Sequence, residues 1–499
     1  MLMAGSGCKK YLSLDPPNDL SGNNFWQNKA DIEAFTNGTY ELLRKAVTRG
    51  DLTQPGGVDE FPFFIFGGDF RGAPVKYGSD VWGRNYIIDL ANNNLLNLRP
   101  GTGWGDTWNM QRFQQWDRFF RVIAAANIAY VKIDDVQDAS LTDAQRKAYK
   151  AEAVFLRNFC YFLMVRNWGD VPYYTDAYHT AALKRMPMVQ VLKNCVADMM
   201  AVKDDLPWTY SDPVFVGVRA MRGSGLALLM HMNMWLASFD EISKSAYYEA
   251  VDRLGDELRN DNGGAYALLP LERTGEIFKG RSKEGLFEIP QNKNYNESFG
   301  WSTFYDHVKY DDRQPDYYPY ISYDSKFMEA IYPEGQPDKR TQLWYRPGTL
   351  YAGDKRFRMN KFLISTDPRA LDGFGFDASQ TVFRYPDAIL LQAEALAELG
   401  QDGKARQVLN IVRARAEAPA LTIAGDALKT QIFYERCREL MGEGHYWYDV
   451  VRTRRIIDNE YKFGYHCTVD QYKAGCWTWP IDRAALLNNP GMTLNTYWQ

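Results

Sequence analysis

Apolar residues recur at helical spacing over most of the chain, in runs separated by two long stretches with no such period. The first run, residues 31–43, places Ile32, Phe35, Tyr40 and Leu43 on one face. After the first aperiodic stretch, Trp116, Phe119, Phe120, Ile123, Ile128 and Val131 line up in a run that begins at Arg112. Thr142 and Gln145 have the spacing of a capping box and predict a long helix ending at Asn167. Further helices are expected over 187–206, opened by Pro187, and over 219–238 and 245–259. In the C-terminal third, Pro386 suits a first helical turn and Ile389, Leu390, Ala393, Leu396 and Ala397 share a face. Gly400 reads as a stop, and Ala405, Val408, Leu409 and Val412 begin the return helix. Such a pair, with a small residue at the closest approach, has the character of a tetratricopeptide hairpin. A third helix there carries Phe433, Cys437, Leu440 and Met441 on one side and charged residues on the other. The expected fold is mostly α, stacked helical hairpins of tetratricopeptide type.

The aperiodic stretches differ in kind from these helices. Residues 50–110 are rich in Gly, Asn, Asp and aromatics, as in GGDFRG, YGSDVWGRNY and RPGTGWGDTW. Residues 263–381 contain a short strand-like EGLFEIP and then NKNYNESFGWSTFYDHVKYDDRQPDYYPY. Long irregular segments in a compact protein commonly carry function. Aromatic faces suit the C–H patches of sugars, and Asp and Arg suit the hydroxyl edges. The ligand-binding candidates are therefore Asp69, Arg71, Trp82, Trp104 and Trp108 from the first stretch and Tyr295, Trp301 and Tyr305 from the second. For each tryptophan the competing use is as a plug into the core, and the sequence does not choose.

Composition narrows the classes. With 499 residues, 45% hydrophobic, the chain can bury a large core, and a net charge of −4 gives no reason to expect a nucleic-acid partner. No Gly-x-Ser-x-Gly, His-Glu-x-x-His or phosphate-loop spacing occurs, and His445 and His466 have no partner motif, so no enzyme reading stands out. Asp306, Asp311, Asp312 and Asp316 miss the EF-hand spacing, so neither metal nor cofactor is expected. The six cysteines form no CxxC or Cys/His metal pattern. Cys160, Cys195 and Cys437 fall on apolar helix faces, whereas Cys467 and Cys476 are spaced to bridge one loop in an oxidising compartment. Whether they do is left open by the sequence. No run of apolar residues is long enough to span a membrane.

Glu435-Arg436, Glu439-Leu440, Glu443-Gly444, Trp447, Asp449 and Arg452 resemble the C-terminal signature of the SusD/RagB family. CKKYLSLDPP, WDRFFRVIAAANIAYVKI, RNWGDVPYY and the tail TWPIDRAALLNNPGMTLNTYW resemble the family at other points, so the likeness covers nearly the whole chain after Cys8. The resemblance implies an outer-membrane lipoprotein that captures oligosaccharides for a SusC-like TonB-dependent transporter and faces the cell surface. Its ligand site would be an arc of aromatics from the two aperiodic stretches. Two other readings are a peptide-capturing RagB-like protein and an interaction scaffold without a ligand. Gly5, Ser6 and Gly7 before Cys8 are similar to a lipoprotein cleavage box and make Cys8 the expected lipid attachment site, with the signal's basic and apolar regions expected upstream. The expected layout is a residual box over 1–8, a tether over 9–24 and one SusD-like domain over 25–499. Its hairpins would lie near 25–50, 111–260 and 382–458, and its ligand-binding portions near 50–110 and 263–381. The signature residues themselves read as a buried or half-buried ion-pair lattice, structural rather than catalytic.

Overall fold

The computed structural model describes residues 25–48, 63–77, 85–98, 113–291, 321–353, 356–362, 378–487, 489 and 491–499. Helices dominate, and their order in space follows their order in sequence. The helix α1 (Lys29–Thr48) packs on α2 (Asp117–Lys132), which pairs with α3 (Asp143–Trp168). Then come α4 (Met188–Val202), α5 (Arg222–Phe239) and α6 (Lys244–Asn260), each against its predecessor. The hairpin of α7 (Tyr385–Glu398) and α8 (Asp402–Arg415) docks on α6, and α9 (Gly425–Leu440) closes over α7. Among the described residues no helix is long and apolar enough to cross a membrane.

Local signals explain most of the boundaries. The Thr142 hydroxyl accepts from the Gln145 amide and the Gln145 side chain accepts from the Thr142 amide, which makes the expected box at the start of α3. From Ala151 to Trp168 every residue of α3 is buried, so this helix is the axis on which the hairpins stack. Gly400 turns the chain at φ +71° between α7 and α8, and Ala405 is fully buried at their contact. A buried fork fixes the N-terminal helices to each other. Arg219 grips both oxygens of Glu152 on α3, at 2.8 and 2.6 Å, and Tyr40 on α1 donates to the same carboxylate at 2.9 Å.

The stretches without helical period hold more order than their pattern suggests. Ile65–Phe70 forms one wide helical turn, and Phe63, Phe64, Phe66 and Phe70 are all core residues. Asn85–Ala91 and Ser325–Ile331 are short helices. Among the described residues two antiparallel strand pairs accompany the helices. Strand β1 (Val75–Tyr77) pairs with β3 (Ile321–Tyr323), matching Val75 with Tyr323 and Tyr77 with Ile321. The expected EGLFEIP strand is β2 (Gly285–Ile289), and it pairs with β4 (Gln380–Arg384), the residues just before α7. Both strands of this second pair are buried throughout, so alternation could not mark β4.

Gly68 shows how tightly the first stretch is seated. A Cβ at this position would overlap the carbonyl of Gly444, and a Cβ on Gly444, itself at φ +88°, would come within 2.8 Å of the Phe64 side chain. Two backbones are in contact here. Gly68→Ala is therefore expected to cost about 1–3 kcal/mol through overpacking, read as a lower denaturant midpoint at unchanged m-value.

Candidate functional site

The signature residues build the centre of the C-terminal half. Glu435, Glu439 and Glu443 recur every fourth residue, so the first two project from one face of α9 and the third continues the row from the turn beyond it. Arg340 reaches Glu435 at 2.6 Å and Glu439 at 3.0 Å. Arg384, at the end of β4, donates to Glu439 at 2.7 Å, to Glu443 at 2.6 Å and to Glu284 at 2.8 Å. Arg413 and Arg415 come in from α8 to Glu435 and Glu439, and Lys361 reaches Glu443 at 2.6 Å. A second cluster adjoins. Arg436 holds Asp449 and Asp387, each at 2.8 Å, and Arg452 holds Asp449 and Glu394.

These charges are buried, and their titration follows from the pairing. Burial by itself would raise the Glu435 carboxyl, but Arg340, Arg438 and Arg413 outweigh it and hold it at about 2. Burial likewise opposes ionisation of Asp449, and Arg436 and Arg452 hold it at about 2. Glu439 is lowered further still against the same burial, by Arg415, Arg384 and Arg340. His445 is pulled down to about 4 by burial. Every carboxylate in the row is ionised and occupied by cations, so none is free to carry a proton at neutral pH. His231, Asp387 and His445 bring their ligating atoms within 4.8 Å of one another, but Arg436 already neutralises Asp387.

Asp69 and Arg71 join the first aperiodic stretch to this centre, which differs from their expected place on a ligand surface. Both are fully buried. Asp69 accepts from the backbone amides of Gly442 and Gly444, capping the turn between α9 and the helix α10 (Tyr446–Arg452). Burial pushes its carboxyl up to about 8, against the pull of those amides. Arg71 lies between Trp447 and Trp479, 4.3 and 5.0 Å from the ring centroids. It donates to Asn93 at 3.0 Å and to the Thr478 carbonyl at 2.8 Å. Charged residues in a glycine-rich run look exposed by pattern; apart from Asn93, their partners lie several hundred residues away. The GGDF sequence was the available signal, since paired glycines beside an acid mark a close backbone approach.

The other ligand-binding candidates, Trp82, Trp104, Trp108, Tyr295, Trp301 and Tyr305, lie outside the described residues, as do Cys8 and Asp306, Asp311, Asp312 and Asp316. The flanking strands are described. Because β1 and β3 run antiparallel with Tyr77 opposite Ile321, the chain enters 78–84 and leaves 292–320 at one end of one ladder. Lys76 and Asp324 pair at 2.7 Å beside that ladder. A separate cavity of ≈740 Å³ lies between the end of α3 and the C-terminal tail, bordered by Arg185, Phe239, Tyr472, Trp477 and Asn495, and it includes none of the candidates.

Comparison with known proteins settles the family. A SusD family model matches residues 308–498, and a second, described as starch-binding associating with outer membrane, matches 77–229. A SusD homolog from Bacteroides thetaiotaomicron has 39% sequence identity and a TM-score of 0.83, over 95% of this chain and 100% of that one. The chain belongs to the SusD/RagB family. A SusD-like protein, P38, from Formosa agariphila is 25% identical over 91% of this chain and 89% of its own length. A laminarin-binding SusD-like protein shares the fold, with a TM-score of 0.67 at 22% identity, over 94% of this chain and 100% of that one. In this SusD/RagB chain the signature lies inside the matched region 308–498, and its geometry is that of a staple between helices.

Glu439→Ala would leave Arg340, Arg384 and Arg415 short of a buried counter-charge and is expected to destabilise by about 3–5 kcal/mol in urea unfolding. A loss below about 1 kcal/mol, the range of a surface pair, would show that the lattice does not hold the fold. Acid provides a second test. Glu435 and Asp449 sit at about 2 when folded, below their ordinary 4.5 and 3.8. Their stabilisation is therefore complete above pH 4.5 and lost as pH falls through 2. The urea midpoint should drop across that window, and more shallowly in Glu435→Gln, which starts from a lower stability.

Proposed function

We propose that this chain is a glycan-binding, lipid-anchored outer-membrane protein that captures oligosaccharides for a SusC-like TonB-dependent transporter. It acts by binding, without turnover. Family membership supports this reading, together with one observation about the ladder. The β1–β3 pairing joins the two aromatic-rich stretches at a single edge, where 78–84 begins and 292–320 ends. Trp82, Trp104 and Trp108 from the first stretch, and Tyr295, Trp301 and Tyr305 from the second, are the side chains proposed to stack on sugar rings. Asp69 and Arg71 serve this site as anchors, holding the first stretch to the turn at Gly444 and to Thr478. Cys8 is the proposed lipid attachment point, on the cell-surface side of the membrane. A laminarin-binding structural neighbour and a surface glycan-binding protein from Bacteroides uniformis share the fold and favour a polysaccharide over a peptide ligand.

A panel of polysaccharides that includes laminarin tests the ligand class by isothermal titration. Ligand-facing rings contribute enough that at least one of Trp82→Ala, Trp104→Ala and Trp301→Ala is expected to weaken binding about tenfold, equivalent to about 1.4 kcal/mol. The melting temperature should hardly change in that variant. If all three lower stability and leave affinity intact, these tryptophans are core plugs and the site is elsewhere. If the wild type takes no glycan but binds peptides, the peptide-capturing reading replaces this one.

A further inference from the structure

The sulfurs of Cys467 and Cys476 lie 3.1 Å apart, with the Cys476 thiol donating to Cys467. The backbone holds them there. The helix between them, Val469–Ala474, is closed at its start by a reciprocal Thr468–Gln471 cap and at its end by Gly475 in the left-handed region. The Cys467 amide donates to the Ile456 carbonyl and the Cys476 amide to the Gln471 carbonyl, both at 3.0 Å. The Cys476 carbonyl also accepts from Asn93 at 3.0 Å, so this corner is tied to the segment that carries Arg71. A bond of ~2.05 Å would need the sulfurs to approach by only about 1 Å.

The two thiols are also unequal in a useful way. Cys467 is partly accessible and Cys476 fully buried. The hydrogen bond from Cys476 lowers the pKa of Cys467, which favours its thiolate. Burial raises Cys160, Cys195 and Cys437 instead, each to well above the ordinary range of a thiol.

We propose that Cys467 and Cys476 form a reversible disulfide that clamps the capped helix between them. The oxidant is an external disulfide, of the class of oxidised glutathione or a thiol–disulfide oxidoreductase. The Cys467 thiolate attacks one sulfur of that disulfide, forming a mixed disulfide and releasing one thiolate. Cys476, losing its proton, then attacks the Cys467 sulfur and releases the second. One S–S bond is broken and one made, the donor is reduced by two electrons, and the two cysteine protons end on its two thiols. The clamp would fix Val469, Tyr472 and Lys473, which form part of the wall of the ≈740 Å³ cavity. Access to that cavity would thereby respond to the redox state.

The folded wild-type protein, first reduced and freed of reductant, is incubated with oxidised glutathione, denatured, alkylated and mapped by mass spectrometry. The expected product carries a Cys467–Cys476 crosslink, lighter by two hydrogens, while Cys160, Cys195 and Cys437 become alkylated. Under the same treatment Cys476→Ser should accumulate the glutathione adduct on Cys467, because the resolving thiol is gone. Wild-type protein that keeps both thiols alkylatable, or that retains the adduct on Cys467 as the mutant does, would overturn the proposal.

Discussion

The row of carboxylates Glu435, Glu439 and Glu443, met by arginines from three other parts of the chain and by Lys361, is the constraint on which the C-terminal architecture depends. Taking an ion out of water costs several kcal/mol, and the attraction of a partner recovers this only when geometry is close and the remaining lone pairs are used. Here they are used. Glu439 alone receives Arg340, Arg384 and Arg415, which come from the 338–343 region, from β4 and from α8. Such a lattice contributes less net stability than its length suggests. Its effect is specific, because each guanidinium fork fits one arrangement of the segments that bear it.

That specificity passes outward to the proposed binding edge. The lattice fixes the end of α9, and the turn after it presents the Gly442 and Gly444 amides to Asp69. Asp69 brings with it residues 63–71, whose phenylalanines fill the core and whose Arg71 is enclosed by Trp447 and Trp479. Four residues further on the chain enters β1 and pairs with β3. A continuous series of contacts therefore runs from buried charge to the ladder where both aromatic-rich stretches meet. Recognition on irregular segments needs such a support, since an ill-held ring spends binding energy on being ordered.

Much of this was legible along the chain, for local reasons. The helical period of Ile389, Leu390, Ala393 and Leu396, the Thr142–Gln145 cap and the Gly400 stop each act within a few residues, and α3, α7 and α8 form where they indicate. The signature spacing likewise indicated a charge lattice, because residues four apart share a helix face. Strand β4 escaped notice since a strand buried on both faces has no alternation. The burial of Asp69 and Arg71 escaped because nothing near them in sequence requires it.

The sequence by itself thus determined the long helices, the Thr142 and Gly400 caps, the hairpin fold and the family, all of which are set by periods and spacings shorter than about 25 residues. Tertiary structure alone decided which partners complete the charges and where the two aromatic-rich stretches meet. Lys76 and Ser322 are 246 residues apart, and no local rule pairs them. They meet because the hairpin stack bridges their separation, and a strand acquires a register only when its partner has been brought beside it.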